Sequence, residues 1–312
     1  MVALCLLLAT ASAPVMAQVN LPGAVPPPAG GAVNPSPATP QSAKPAIPEG
    51  KGALRLRAVF GGENIPVGQG VIWRVFQERA DADGTHKLVR QSTEMSPLLI
   101  LPHGNYLVHL SFGLAGVAKR VELSGNVERV ELVLNAGILR ITGILDDHKI
   151  ASDRLAVSVY IPDDRNPEAK LIARDVRPGQ DLGLPEGTYH LVSTYLDPGK
   201  PSVDREARAT NSVVTADVRV RPGQMIEALL KHRAAQLTLK LVKTPGGEAL
   251  ANTSFTVLTP GGDVLREMIG AFPSLTLAEG EYVAIARNEG RTFQGTFKVQ
   301  SGVNRDVEIL AK

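Results

Sequence analysis

The chain has 312 residues, and its 33 Lys and Arg nearly balance its 31 Asp and Glu, for a formal net charge of +2. Only 4% of the residues are aromatic. Proteins that bind nucleic acid need a basic surface and stacking aromatic residues, so this composition argues against a nucleic-acid partner.

The first 17 residues have the pattern of a secretory signal peptide. Residues 2–11 are almost wholly apolar but too few to span a bilayer, and Val15, Met16 and Ala17 suit a signal peptidase. We therefore predict cleavage after Ala17, no transmembrane segment in the mature chain, and a periplasmic or secreted location. The alternatives are a buried N-terminal helix and an uncleaved signal anchor. Cys5, the only cysteine, would leave with the signal, so neither a disulfide nor a thiolate site is expected.

Residues 18–51 are rich in Pro, Ala, Gly and Ser, as in "PPPAGGAVNPSPATP". Such a segment cannot bury enough apolar surface to offset the entropy lost on ordering. We predict a disordered linker between the signal peptide and the folded part of the chain.

The remaining chain repeats itself three times. The stretches "LPHGNY", "LPEGTY" and "LAEGEY" each follow alternating strand patterns and turn signals, and each precedes another strand pair around a glycine. No helical period accompanies them. We predict an all-β chain of three tandem β-sandwiches, residues 52–135, 136–233 and 234–312, with short junctions that favour a stiff arrangement.

The repeated motif predicts a structural corner. Proline would set φ at the second position of a tight turn, glycine would take the fourth, and the tyrosine ring would fill the core while its hydroxyl reaches the backbone. The predicted corner residues are Pro102, Gly104, Tyr106, Pro185, Gly187, Tyr189, Gly280 and Tyr282.

The third unit, which contains "LTLKLVKTPGGEAL", "LAEGEYVAIA" and "FKVQSGVNRDVEI", resembles the carboxypeptidase-regulatory-like and collagen-adhesin-B-type repeats. That resemblance implies an immunoglobulin-like, prealbumin-like sandwich, and it extends more loosely to the other two units. The family includes members with a Lys–Asn isopeptide bond. Lys240 and Asp306 are the nearest pair here, but alternation places Lys240 on the solvated face, so no such bond is expected.

The sequence offers few residues for chemistry. His148 beside Asp146 and Asp147 is the densest cluster of possible metal ligands, but its position matches a turn in the other units. Loops at 81–84 and at 163–164 carry acidic residues without the full ligand pattern of a calcium site. The chain lacks a G-x-S-x-G elbow, and its glycine-rich segment at 61–70 precedes no helix. We expect no catalytic site, no metal and no cofactor.

The sequence therefore favours a non-catalytic structural or protein-interaction protein whose partners are envelope proteins, reached through strand edges. The alternative is a carbohydrate- or peptidoglycan-binding module with glycan as the partner. Trp73 aligns with core positions of the other units, which leaves Phe112 and Tyr195 as the candidates for exposed aromatic residues, and two residues in different units make no sugar-binding platform.

Overall fold

The computed structural model describes residues 47–62, 64–162, 170–198 and 206–312. The predicted signal peptide, nearly all of the predicted linker and the acidic loop at 163–164 lie outside these residues. Residues 47–312 form one compact unit. The described residues are almost entirely β, and none of their helices is long or apolar enough to cross a bilayer.

The first sandwich has seven strands, in which β4-β1-β7 form one sheet and β3-β2-β5-β6 form the other. Their bounds are β1 Lys51–Phe60, β2 Val71–Ala80, β3 His86–Ser92, β4 Leu98–Pro102, β5 Gly104–Phe112, β6 Ala115–Leu123 and β7 Val127–Leu134.

The second sandwich repeats this plan, with sheets ordered β12-β8-β15 and β11-β10-β13-β14 and with β9 added to β8. Its strands are β8 Ala136–Leu145, β9 His148–Lys149, β10 Leu155–Ile161, β11 Lys170–Ala173, β12 Asp181–Pro185, β13 Gly187–Leu196, β14 Ala209–Val220 and β15 Met225–His232. Two short 3₁₀ helices, Ser152–Arg154 and Glu206–Arg208, precede β10 and β14.

The third sandwich has sheets ordered β19-β16-β22 and β18-β17-β20-β21. Its strands are β16 Ala234–Val242, β17 Ser254–Leu258, β18 Val264–Ile269, β19 Ser274–Ala278, β20 Gly280–Asn288, β21 Arg291–Val299 and β22 Arg305–Leu310.

Each sandwich encloses its own hydrophobic core between its two sheets. In the first, Leu54 of β1 and Trp73 of β2 are fully buried in one cluster, and the clusters of the second and third sandwiches share no residue with it. Burial of a leucine side chain such as that of Leu54 contributes about 1.5–3 kcal/mol. Each of the three sandwiches is therefore stabilised by its own core.

The first and last strands of each sandwich are parallel neighbours, a pairing that the sequence patterns did not indicate. β1 pairs with β7, β8 with β15 and β16 with β22. Because paired parallel strands run in the same direction, the chain enters each sandwich at one end and leaves it at the other. Only Asn135 separates β7 from β8, and only Arg233 separates β15 from β16.

Candidate interaction surface

The three corners connect one sheet of a sandwich to the other. At the first corner, β4 ends at Pro102 and β5 begins at Gly104, so His103 alone lies outside the strands. The four-residue turn with Pro102 second and Gly104 fourth stays a prediction. Pro102 sits at the end of an edge strand, where its missing N–H needs no ladder partner. Gly104 has φ +153°, a value that glycine adopts without strain.

Each corner tyrosine is buried and donates a hydrogen bond from its hydroxyl to the carbonyl four residues earlier. Burial also raises the pKa of all three phenols. The three bonds, each 2.8 Å long, run from Tyr106 to Pro102, from Tyr189 to Pro185 and from Tyr282 to Ala278. A buried phenol with a satisfied hydroxyl serves packing, and none of the three is free for chemistry.

A second bond holds each corner to the start of its own sandwich. The residue after the corner proline or alanine donates its backbone N–H to the residue that precedes the first strand. These bonds join His103 to Gly50 at 3.4 Å, Glu186 to Asn135 at 2.9 Å and Glu279 to Arg233 at 2.9 Å. In the third sandwich the side chains of Arg233 and Glu279 also form an ion pair. Each corner is therefore held within its own sandwich by two hydrogen bonds.

The third corner also binds the second sandwich. Asn211 of β14 donates from Nδ2 to the Tyr282 hydroxyl at 2.8 Å, and its Oδ1 accepts the Ala278 N–H at 2.9 Å. One amide side chain thus satisfies a hydroxyl and a backbone donor of the next sandwich. The third corner therefore connects the two sheets of its own sandwich and also contacts the second sandwich.

Asp197 also binds the third sandwich. We call the contacts that Asp197 and Asn211 make with the third sandwich the 197–211 latch. Its Oδ1 accepts the backbone N–H of Thr276 at 2.6 Å, and its Oδ2 lies 3.1 Å from Arg266 Nη2. Arg266 also donates to the carbonyls of Ala207 and Ala209 at 3.1 and 2.9 Å. Both ions are partly buried, so these charge-assisted bonds are less screened than those of a surface ion pair.

His232 is the one buried histidine among the described residues, and no motif in the sequence points to it. Its Nε2 lies 2.9 Å from Ser193 Oγ and its Nδ1 lies 3.1 Å from Ser212 Oγ. Desolvation lowers the pKa of His232 to about 4. The alternation of β15 buries Ala228, Leu230 and His232 in series. The same period-two pattern, read from the sequence, would have predicted that His232 is buried.

The residues considered for metal binding do not form a metal-binding group among the described residues. His148 is exposed on β9, while Asp146 accepts a hydrogen bond from Ser301 Oγ of the third sandwich at 2.9 Å. In the loop at 81–84, Thr85 donates its hydroxyl and its N–H to Asp83, and these bonds lower the pKa of Asp83. The described residues contain no group of three or more His, Cys, Asp or Glu side chains that could hold a metal ion.

The two aromatic residues considered as candidates for exposure are not exposed. Phe112 and Tyr195 are both buried: Phe112 packs edge-to-face against Phe60 at 5.7 Å, and Tyr195 lies between His232 and Arg154. Trp73 is fully buried and donates from its indole to the Glu94 carbonyl at 3.1 Å. None of these three rings offers a face to a sugar.

Lys240 and Asp306 form an ion pair across the parallel strands β16 and β22, and the Lys240 ammonium lies 5.6 Å from the Phe272 ring centroid. Both partners are charged side chains, and the contact between them is a salt bridge. The contact is a half-buried charge pair with an aromatic cover.

An exposed apolar edge occurs on the third sandwich, and we call it the 264–272 edge. β18 is the outer strand of its sheet and pairs with β17 alone. Val264, Ile269 and Phe272 along this edge are 58%, 83% and 58% exposed. An outer strand presents backbone donors and acceptors to solvent, and exposed apolar side chains beside it favour pairing with another chain.

Comparison with known proteins gives one family match. Residues 236–311 match the model of the Rhizobiales growth-associated tandem repeat domain, so the match covers the third sandwich. A comparison with curated proteins finds no match. The resemblance to carboxypeptidase-regulatory-like and collagen-adhesin-B-type repeats stays a prediction.

Several solved structures are similar over much of the chain. The Bacillus anthracis TIE protein is 19% identical with a TM-score of 0.24, and the alignment covers 85% of this chain but 51% of that one. A streptococcal ancillary pilin is 12% identical with a TM-score of 0.28, over 84% and 99% of the two chains. The minor pilin GBS52 of Streptococcus agalactiae is 12% identical with a TM-score of 0.31, over 56% and 95%. Values this low carry no argument about function.

Proposed function

We propose that this chain is a non-catalytic, exported structural or protein-interaction protein that binds a protein of the cell envelope through the 264–272 edge. The exposure of Ile269 beside an outer strand carries this proposal, because such an edge can add a strand from a partner. The corner tyrosines are buried and hydrogen-bonded, and Asp83 and Asp146 accept hydrogen bonds, which supports a role without catalysis.

We also propose that the three sandwiches, residues 52–135, 136–233 and 234–312, are separate repeat domains. Their disjoint cores support these boundaries, and so does the tandem-repeat family model that matches 236–311. The location remains a proposal from the sequence: a periplasmic or secreted chain that begins at Gln18 after cleavage. Sequencing the N-terminus of the mature protein tests that location.

Glycan was the other candidate partner. Carbohydrate sites in sandwich modules present flat aromatic faces, and Trp73, Phe112 and Tyr195 are buried. No described feature favours a sugar over a protein, so our proposal names a protein partner.

Photo-crosslinking in cells tests the proposed edge. A photoreactive phenylalanine placed at Ile269 or Val264 should yield a discrete adduct with an envelope protein, because both residues are exposed on the outer strand of their sheet. Met225, which is 52% exposed on β15 of the second sandwich, is the matched control. Adducts at 225 equal to those at 264 and 269, or no adduct at any of the three positions, would contradict the proposal.

A further inference from the structure

The two junctions inside this chain place the same repeat positions in contact. The residue eight positions after the corner tyrosine of one sandwich meets the residue two positions before the corner proline or alanine of the next. Leu114 donates its N–H to the Gly183 carbonyl at 2.8 Å, and Thr276 donates its N–H to Asp197 Oδ1 at 2.6 Å. The donor and acceptor roles are reversed between the two junctions, but the same repeat positions meet at both.

A second pair of segments also meets at both junctions. The end of the first strand of one sandwich and the turn after it approach the glycine turn before the last strand of the next. A Cβ built on Gly223 would lie 3.3 Å from Cβ of Phe60, the last residue of β1, and 3.5 Å from Ile65 Cδ1 in the turn. A Cβ on Gly302 would lie 2.0 Å from Oδ2 of Asp146, the residue after β8. Each glycine is therefore covered by the preceding sandwich.

The first sandwich has the same receiving surface, and no described residue covers it. Gly125 is the counterpart of Gly223 and Gly302, yet a Cβ built there meets no described atom within 4 Å. Ile100 is the counterpart of Gly183 and Thr276. Ile100 and Leu98 are both half-buried aliphatic residues on the outer face of β4.

The third sandwich has the matching donor surface, again with no described cover. Gly290 is the counterpart of Leu114 and Asp197, and a Cβ built there meets no described atom within 4 Å. Thr244, the counterpart of Asp146, is exposed at the rim of a cleft of about 360 Å³ that extends to Ala251. Lys243 stands beside Thr244 in the chain, whereas the exposed Glu122 and Glu128 flank Gly125.

We propose that a second copy of this chain occupies these surfaces, so that the third sandwich of one copy docks onto the first sandwich of the next. The contact would repeat the internal junctions position by position, with Thr244 against Gly125 and Gly290 against Ile100. The two surfaces differ, so the association is head-to-tail and produces either an open filament or a closed ring. This interaction goes beyond the proposed envelope partner, since it uses neither Ile269 nor Val264.

Engineered disulfides test the docking directly. In the full-length chain carrying Cys5→Ser, we expect Gly125→Cys together with Thr244→Cys to form interchain disulfides under mild oxidation, visible as a ladder on non-reducing gels. Gly125 and Thr244 lie in exposed turns, so both changes leave the fold intact. The matched control pairs Gly125→Cys with Glu281→Cys, which is also exposed but lies at the end of the third sandwich that faces the second.

Mixing the single variants fixes the orientation. A mixture of chains carrying Gly125→Cys and chains carrying Thr244→Cys should give a dimer and no longer species, while either variant alone should give far less. Equal dimer from one variant alone would indicate a symmetric contact and overturn the proposal. A double variant that stays monomeric, as it would if the chain's own N-terminal segment covered the first sandwich, would also overturn it. Neither outcome affects the crosslinks expected at Ile269.

Discussion

Replacing Tyr282 by alanine should lower the free energy of unfolding of the third sandwich by about 3–5 kcal/mol, the range for deleting a large buried aromatic side chain. The ring is 6% exposed and packs against Phe297 with centroids 5.8 Å apart, so alanine leaves a cavity that two sheets cannot close. Urea unfolding followed by circular dichroism measures the change.

The phenylalanine variant separates the ring from its hydroxyl. Tyr282→Phe keeps the packing but removes the bond to the Ala278 carbonyl and the bond from Asn211, and we expect a loss of about 2 kcal/mol at about 1 kcal/mol per bond. Tyr106→Phe is the matched control: among the described residues its hydroxyl makes only the corner bond, so its loss should be about half as large. Equal losses at the two corners would contradict a docking role for Tyr282.

Acidification should destabilise the second sandwich through His232. Its pKa is about 4 in the folded chain against 6.5 for an ordinary histidine. Between these values the unfolded chain binds a proton that the folded chain does not, so stability is complete above pH 6.5 and falls as the pH approaches 4. The full difference is about 3 kcal/mol, of which about 2 kcal/mol should be lost between pH 7.5 and pH 5.

His232→Gln provides the control for this titration. Glutamine retains a polar group that can bond to Ser193 and Ser212 but has no proton to gain, so the variant should lose most of the pH dependence between 7.5 and 5. A variant whose unfolding free energy falls with pH as steeply as that of the unaltered chain would assign the effect to other groups. The slope is the readout, because a packing defect would shift stability equally at all pH values.

The three corner tyrosines illustrate how far the sequence leads. One motif, written three times, predicted buried rings at Tyr106, Tyr189 and Tyr282, and each ring lies on a strand whose period-two alternation buries one face. The same alternation also places Phe112 and Tyr195 inward, as the sixth residues after Tyr106 and Tyr189. They were candidates for exposure because they follow the corner motif, but their parity in the strand places them in the core.

The 197–211 latch could not be predicted in this way. Asp197 directly follows β13 and Asn211 lies near the start of β14, and their partners come from another sandwich about 70–80 residues away in the chain. Local patterns decide which face of a strand is buried, whereas contacts between sandwiches depend on tertiary geometry. The parallel pairing of first and last strands escaped prediction for the same reason.

The central claim is that the corner of the third sandwich docks onto the second, and a double-mutant cycle between Asn211 and Tyr282 tests it most directly. Asn211→Ala and Tyr282→Phe should show a coupling energy of about 1 kcal/mol, because each change alone already removes their shared hydrogen bond. Asn211→Ala combined with Tyr106→Phe should be additive. Additivity in the Asn211–Tyr282 cycle as well would mean that the two side chains do not interact, and the docked corner would be refuted.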